Sequence, residues 1–564
     1  MRSKHFSLFL LCLFIGVVAA LPFIVNLSDP FVSDDWTFLQ IETERSQPLW
    51  KYFTTNYYGT HDGGSYRPMV NVFWAALFSL FGLNPFPYHL TTTLLHAGNA
   101  ILIFFLFFFS PGKFAREWRI QVGAIAAFLF CFFPNHAEAV SWISAINDTM
   151  ATFFYLLSLL FCFIALRMEK GKYIAWTGLS FIVFILALCS KEIAITLPLV
   201  LGIILLSQSA HLRLVIPYFI ILGLFFLIRY QSIGLFVGYY EHPDLSFHLP
   251  TIFLAFVSYT MSHVLSDSLR TQLTLFIMER LWWVIFLGTA LLIGLLWKRR
   301  KYSETKIAFC LILMYGLSMI PVMQFGINLT QPMFSEEGER YVYSPSVFMA
   351  TLFGVCLVSL CRYLTRFKRI GDVFFVCIAA IVVFGLSNQL LIKTDRWHTA
   401  AKAADDSLAQ LKQHWQSNMY DGIILVGVPD SYHGAFLWRN GLPEALRVRA
   451  GIEDKDILVT ANRTAYEADE SLVAQRKDGQ MFVYSSVIQY PIILSTPLFE
   501  SLDYTTILKK IVHQPLALQY TDAGAELEIR FSDAFIQTNK NRNIGILFTL
   551  RMGGFRLRCV IDYN

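Results

Sequence analysis

Residues 173–207 read YIAWTGLSFIVFILALCSKEIAITLPLVLGIILLS, two apolar runs that meet at the charged pair Lys191-Glu192. The first run, 173–190, is long enough to cross the ~30 Å hydrocarbon core of a bilayer as an α-helix, and the second, 192–207, is shorter. A charged pair between two apolar helices, with almost no loop, predicts a tight turn at a membrane surface.

The composition of the whole chain agrees with this local pattern. Of its 564 residues, 55% are hydrophobic, 15% are charged and 52 are Phe. A soluble protein has about 25% charged residues, so the composition excludes a single globular domain, a disordered chain and a nucleic-acid binder. The nine Cys show no metal-ligand spacing. The chain is predicted to be a polytopic α-helical membrane protein.

About eleven apolar runs predict membrane spans. They cover residues 6–25, 88–109, 120–134, 140–166, 173–190, 192–207, 213–230, 277–297, 307–325, 345–361 and 371–392. Two further stretches, 69–83 and 250–266, are interpreted as partial or interfacial. The first run is interpreted as an uncleaved helix, because apolar residues continue directly past Ala19-Ala20.

Basic residues fall in every second short loop, which predicts the orientation by the positive-inside rule. The basic positions are Arg2, Lys4, Lys113, Arg116, Arg119, Arg167, Lys170, Lys172, Arg213, 298–301, Arg362, Arg366, Lys368 and Arg369. We therefore expect a cytoplasmic N-terminus and an outer side that receives the long first loop, 28–87.

The composition becomes polar after the last predicted span. We expect a membrane domain, 1–393, and a soluble extracytoplasmic domain, 394–564. A helix at 399–416 and strand-like runs at 422–428, 481–488 and 544–550 predict a small α/β or α+β domain.

The first outer loop opens with Ser33-Asp34-Asp35-Trp36, which places two adjacent carboxylates near a membrane boundary. One carboxylate of such a pair can act as a general base toward a sugar hydroxyl, and the pair can also hold a cation. The alternative is a structural role, in which Ser33 or Asp34 caps a loop helix.

Other ionisable and polar residues fall at the same predicted surface. They are Arg67, His89, His136, Glu138, Lys191, Glu192, Glu339, Arg340 and Tyr341. Arg, Lys and Tyr at headgroup level can bind a lipid phosphate, although an aromatic belt and snorkelling anchors give the same pattern. His96 and Asn99 lie deeper on the helical stripe of His89, where we favour interhelical hydrogen bonding. A transporter would instead concentrate such groups at mid-membrane.

The order of these motifs resembles the GT-C class of integral-membrane glycosyltransferases. The matching pieces are Asp34-Asp35, Tyr66-Arg67-Pro68, Gly82 to His89, His96, Pro134 to Val140, Ser190-Lys191-Glu192 and Glu339 to Pro345. The branch it is most similar to contains the protein O-mannosyltransferases, the transmembrane-and-tetratricopeptide-repeat mannosyltransferases and their bacterial relatives.

The resemblance implies inverting transfer of one sugar from a polyprenyl-phosphate carrier to a hydroxyl on the outer side. Asp34 matches the catalytic base, and Asp35 would position the acceptor or hold a divalent cation. Arg67, Lys191 and Arg340 would stabilise the departing phosphate. No cofactor is required by this reading, a divalent cation stays open, and the acceptor could be protein, lipid or polysaccharide.

Two departures from the family pattern stand out. The chain has Asn147-Asp148 where the family often has an Arg before the Asp, and its tail lacks tetratricopeptide repeats. The bacterial character of the tail favours a bacterial inner membrane with a periplasmic catalytic face. A lipid-linked sugar flippase and a non-catalytic scaffold of glycan assembly remain alternative functions.

Overall fold

The computed structural model describes most of the membrane region and parts of the tail. The described residues are 2–57, 64–111, 114–207, 212–236, 249–280, 303–324, 338–364, 369–414, 422–429, 431–451, 456–462, 472–477, 480–485, 492–494, 544–550 and 554–561. The chain divides into two compact units. The membrane unit comprises Met1–Leu27 and Gln47–Asp395, and the tail unit comprises Ser28–Ser46 and Arg396–Asn564.

The membrane region is built from α-helices, and short 3₁₀ segments lie between some of them. In chain order the helices are α1 (Arg2–Ala20), α2 (Asp34–Thr43), α3 (Pro68–Phe81), α4 (Phe86–Phe108), α5 (Arg116–Phe130), α6 (His136–Ser141), α7 (Ile146–Ala165), α8 (Lys170–Leu188), α9 (Leu197–Ser207), α10 (Ile216–Ile233), α11 (Leu249–Ser262), α12 (Asp267–Glu279), α13 (Ser303–Gln324), α14 (Tyr343–Leu364), α15 (Arg369–His414) and α16 (Leu442–Ala450). One-turn 3₁₀ segments, Glu192–Thr196 and Glu339–Val342, precede α9 and α14.

The polytopic membrane fold is confirmed. Among the described residues, 8 helices are long and apolar enough to cross a membrane, and they coincide with eight of the predicted spans. The other three predicted spans, 120–134, 192–207 and 277–297, are not among these eight helices.

The predicted span 120–134 forms α5, which has only 15 residues and begins with the charged Arg116-Glu117. The run 192–207 is also a shorter helix. The prediction at 277–297 lies largely outside the described residues. The two ambiguous stretches form the 14-residue helices α3 and α11.

Helix α4 is central to the membrane unit, where it packs against α1, α5 and α7. Small residues let these helices approach closely. A Cβ atom on Gly123 of α5 would lie 3.0 Å from the Phe104 carbonyl oxygen of α4. A Cβ on Gly354 of α14 would lie 3.1 Å from the Val122 carbonyl oxygen of α5. This close packing brings the N-terminal turns of α6, α7 and α14 together.

The described part of the tail unit contains α2, the end of α15, α16, a mixed five-stranded sheet and two two-stranded antiparallel sheets. The strands are β1 (Gly422–Pro429), β2 (Ser431–Tyr432), β3 (Ala435–Phe436), β4 (Asp456–Asn462), β5 (Leu472–Lys477), β6 (Gln480–Ser485), β7 (Ile492–Leu494), β8 (Ile544–Leu550) and β9 (Gly554–Ile561). The order of the five-stranded sheet is β7-β4-β1-β8-β9, with β1 parallel to both neighbours, and the two-stranded sheets are β2-β3 and β5-β6. The strands predicted at 422–428 and 544–550 are therefore present, and the strand predicted at 481–488 is present as β6 up to Ser485, with 486–488 outside the described residues. The helix predicted at 399–416 is the end of α15, which is described up to His414.

Candidate functional site

Lys191 lies in the turn between α8 and α9 and is almost completely buried. Its ammonium contacts both carboxylate oxygens of Asp148, at 2.5 and 2.6 Å, and lies 4.9 Å from the centre of the Tyr341 ring. Burial, opposed by the attraction of Asp148 and assisted by the nearby Arg67 and Arg340, lowers the pKa of Lys191 to about 8. Arg67 and Arg340, from distant parts of the sequence, therefore both lie within electrostatic reach of Lys191.

Arg340, in the turn before α14, is held by Glu138 of α6. The Glu138 carboxylate accepts hydrogen bonds from the Arg340 guanidinium and, at 2.9 Å, from the Arg340 backbone N–H. The guanidinium lies 4.9 Å from the Trp142 ring centre and 4.5 Å from that of Tyr341. Glu138 and Trp142 thus both contact Arg340, and the Tyr341 ring lies beside both Arg340 and Lys191.

Glu192 is the shared partner of two buried arginines. Its Oε2 atom accepts from the Arg67 Nη2 at 2.8 Å, and its Oε1 atom accepts from Arg229 of α10 at 3.1 Å. This pair of bonds fixes Arg67, just before α3, next to the Lys191-Glu192 turn. The Ser190-Lys191-Glu192 motif thus joins the Tyr66-Arg67-Pro68 segment to α10.

These contacts define the cation cluster: Arg67, Lys191, Arg229 and Arg340, with Glu138, Asp148 and Glu192. At neutral pH its members carry four positive and three negative formal charges. Such a set, in apolar surroundings, favours a bound anion, because ion pairs are strengthened where water is excluded. Its basic groups could also neutralise charge that develops on a departing phosphate.

A second ion group lies directly beside the cluster in sequence. Glu339 accepts from Arg270 of α12 at 2.7 Å and from Lys393 of α15 at 2.7 and 2.8 Å. Lys393 also contacts Asp267 at 2.9 Å. Glu339 and Arg340 are adjacent residues, so this second group anchors the backbone that presents Arg340.

The predicted substrate residue His136 lies inside the helix bundle. Its Nε2 atom is 2.8 Å from the Ser346 hydroxyl, and its ring packs at 4.7 Å from the Tyr343 ring. His96 contacts the Tyr343 hydroxyl at 2.8 Å, and Asn99 donates to the Thr149 carbonyl at 3.0 Å. His96 and Asn99 thus make the interhelical bonds expected of them. His89 is also buried, and its carbonyl accepts from Thr92.

Asp34 and Asp35 belong to the tail unit and have different surroundings. Asp34 is partly exposed and accepts from the Asn440 side-chain amide at 2.6 Å. Asp35 is 1% exposed and accepts from the Val32 backbone N–H at 3.0 Å. Asp35 therefore stabilises the turn that leads into α2, while Asp34 keeps contact with solvent.

Ser33 occupies the N-cap position of α2 but does not cap the helix. Its hydroxyl makes no cap bond and instead accepts from the Asn440 backbone N–H at 3.3 Å. Its φ of 48° is unusual for a residue with a side chain, and such backbone strain concentrates at functional sites. The capping alternative is therefore not supported for Ser33.

The sequence reasoning missed Arg229, Arg270 and Lys393, and it left Asp148 outside the site. Arg229 lies near the end of an apolar run, where a buried charge is costly and calls for a partner. That signal was available, but its partner Glu192 lies 37 residues away in sequence. Within the described ranges, no group of three or more His, Cys, Asp or Glu is placed to hold a metal.

Comparison with curated proteins gives matches to protein O-mannosyl-transferases. The chain is 31% identical over 158 residues to Protein O-mannosyl-transferase TMTC2 of Mus musculus, which is 26% of this chain and 18% of that protein. It is 28% identical over 195 residues to TMTC3 of Homo sapiens, 33% of this chain and 20% of the relative. The resemblance predicted from the motifs is confirmed. The chain spans about a fifth of the length of these relatives.

No family model matches the chain. Among solved structures, ArnT from Cupriavidus metallidurans bound to undecaprenyl phosphate matches with a TM-score of 0.42 and 14% identity, over 84% of this chain and 97% of that one. The oligosaccharyltransferase of Archaeoglobus fulgidus matches with a TM-score of 0.41 and 13% identity, over 73% of this chain and 62% of that one.

Proposed function

We propose that the protein is a membrane glycosyltransferase that moves one sugar from a polyprenyl-phosphate carrier to an acceptor hydroxyl. The observation that carries the proposal is the cation cluster, in which Lys191 and Arg340 approach the same Tyr341 ring and Arg67 is fixed beside them. The sequence similarity to protein O-mannosyl-transferases supports the same reaction class.

The proposal assigns the donor phosphate to Lys191, Arg340 and Arg67. As the bond from the anomeric carbon to the phosphate oxygen breaks, that oxygen gains negative charge, which these fixed cations stabilise. Glu138, Asp148 and Glu192 hold the cations in place before the donor binds. Tyr341 supports both Lys191 and Arg340 through its ring.

The acceptor side of the proposal rests on Asp34. Asp34 takes the proton from the acceptor hydroxyl while the hydroxyl oxygen attacks the anomeric carbon, and the configuration at that carbon inverts. The proposed setting is a bacterial inner membrane with 394–564 and the reacting groups on the periplasmic side. The acceptor is a protein, lipid or polysaccharide hydroxyl.

Binding of undecaprenyl phosphate to the purified full-length protein tests the donor site. Lys191→Gln and Arg340→Gln should each weaken binding by about tenfold or more, because a charge-assisted hydrogen bond contributes about 1.5–3 kcal/mol. Lys172→Gln, which removes an exposed charge at the start of α8, is the control and should bind as wild type does. Unchanged affinity in both cluster variants would refute the assignment.

A further inference from the structure

An apolar cavity of about 440 Å³ lies among α4, α5, α7, α9, α13 and α14 of the membrane unit. Its walls include Leu156, Phe163, Leu311 and Phe348, and it is within the ~300–1,000 Å³ range of ligand pockets. Close-packed helices rarely leave a void of this size without an occupant.

The cavity has one polar end. Ser110, Ser207 and Lys306 line it where α4 and α9 end and α13 begins. The Ser110 carbonyl accepts from the guanidinium groups of Arg119 at 2.8 Å and Arg167 at 2.6 Å. Three cations, Lys306, Arg119 and Arg167, therefore lie at this end. The carboxylates in the first turns of α5 and α13, Glu117 and Glu304, are not part of the lining.

Trp118 gives an independent sign of a ligand. This residue lines the cavity and is 2% exposed, yet its indole N–H has no acceptor within the described part of the chain. The Nε–H of the neighbouring Arg119 is likewise buried without an acceptor there. Buried donors of this kind cost free energy unless a partner accepts their hydrogen bonds, and both lie at the polar end.

We propose that this cavity binds an anionic phospholipid, with one acyl chain between the helices and the phosphate near Lys306, Arg119 and Trp118. The apolar walls fit the chain, and phosphate oxygens would accept from the two donors that have no acceptor. The polar end lies at the C-terminal ends of α4 and α7, whereas the cation cluster lies at the N-terminal ends of α7 and α14. A 20-residue helix such as α7 is about 30 Å long, so the lipid head occupies the opposite membrane face from the cation cluster.

Quenching of Trp118 fluorescence by a brominated acyl chain tests the proposal on the delipidated, full-length protein. Brominated phosphatidylglycerol should quench wild-type emission saturably, and Trp118→Phe should lose that component. Lys306→Gln should weaken phosphatidylglycerol binding about tenfold, because it removes one charge-assisted contact. Arg362→Gln is the control, because it removes an exposed cation at the C-terminal end of α14 that does not line the cavity, and it should leave binding unchanged.

Two outcomes would overturn the proposal. Equal binding of brominated phosphatidylcholine and phosphatidylglycerol would show that the cavity does not select an anionic headgroup. Absence of phosphatidylglycerol quenching, with quenching by a brominated polyprenyl phosphate instead, would assign the cavity to a different lipid. Leu311→Phe, which narrows the cavity without adding a tryptophan, should reduce quenching by bound lipid while thermal unfolding shows that the variant is folded. The assay needs no sugar transfer, so its result is independent of the proposed function.

Discussion

The Lys191 ammonium lies 2.5 and 2.6 Å from the two carboxylate oxygens of Asp148, and both side chains are more than nine-tenths buried. This ion pair connects the turn before α9 to the first turn of α7. The Asp148 carboxylate therefore already contacts the Lys191 ammonium, which is one of the groups proposed to bind the donor phosphate.

Replacing one member of the Lys191–Asp148 ion pair should destabilise the protein more than replacing both members with apolar residues. Asp148→Asn leaves a buried ammonium without its anion and should lower the free energy of unfolding by about 3–5 kcal/mol. The double variant Lys191→Met/Asp148→Leu should recover most of that loss. Unfolding of the detergent-solubilised variants measures both values, and equal losses in the two variants would contradict the prediction.

Donor affinity should fall as the pH rises through 8. The pKa of Lys191 is lowered to about 8 by burial, so the ammonium loses its proton above that pH and with it the attraction for phosphate. The Lys191→Arg variant stays charged throughout and should show a flat profile. The measurement is the dissociation constant of undecaprenyl phosphate below and above pH 8. A wild-type dissociation constant that does not change with pH would contradict the assignment of Lys191 to the phosphate site.

Asp34→Asn should slow sugar transfer by roughly 10²–10⁴-fold while donor binding stays near wild type, because only the proton acceptor is lost. Asp406→Asn, an exposed carboxylate in the same unit, is the control. The readout is release of polyprenyl phosphate from a sugar-loaded donor. Full activity of Asp34→Asn would exclude Asp34 as the general base and would favour a structural role for it in the first loop.

Gly441→Ala should destabilise the tail unit more than Gly451→Ala. Both glycines have positive φ, 82° and 67°, so each alanine costs about 1–2 kcal/mol of backbone strain. A Cβ on Gly441 would also collide with the Ser33 carbonyl, whereas a Cβ on Gly451 meets open space. Thermal unfolding compares the two variants directly, and equal shifts would exclude the contact.

The tail should lie outside the cytoplasm. The basic residues Arg362 to Arg369 precede one last span, which places the following residues on the opposite side. An alkaline phosphatase fused after Asn564 should therefore be active in bacterial cells. A fluorescent reporter that matures only in the cytoplasm should stay dark at the same position, and bright fluorescence there would reverse the orientation.

Hydropathy alone predicted most of the membrane fold, because each span must be apolar over its whole length. The same signal is weaker at α5, because this helix has only 15 residues and its first turn carries Arg116, Glu117 and Arg119. The candidate residues Arg67, Lys191 and Arg340 could be selected because each is the basic residue of a motif that the family resemblance carries at the predicted outer surface. Their partners could not be deduced, because the pairing of Glu192 with Arg229, or of Lys393 with Glu339, depends on which helices pack together.

The four-residue group formed by Glu339, Arg270, Lys393 and Asp267 restricts how the sequence can change. Its two acids balance its two bases, and Glu339, Arg270 and Lys393 are almost fully buried. Replacing one member alone leaves a buried charge uncompensated, whereas replacing an acid and a base together does not. These four positions should therefore vary in acid–base pairs among homologous sequences, with substitutions at Glu339 accompanied by substitutions at Arg270 or Lys393.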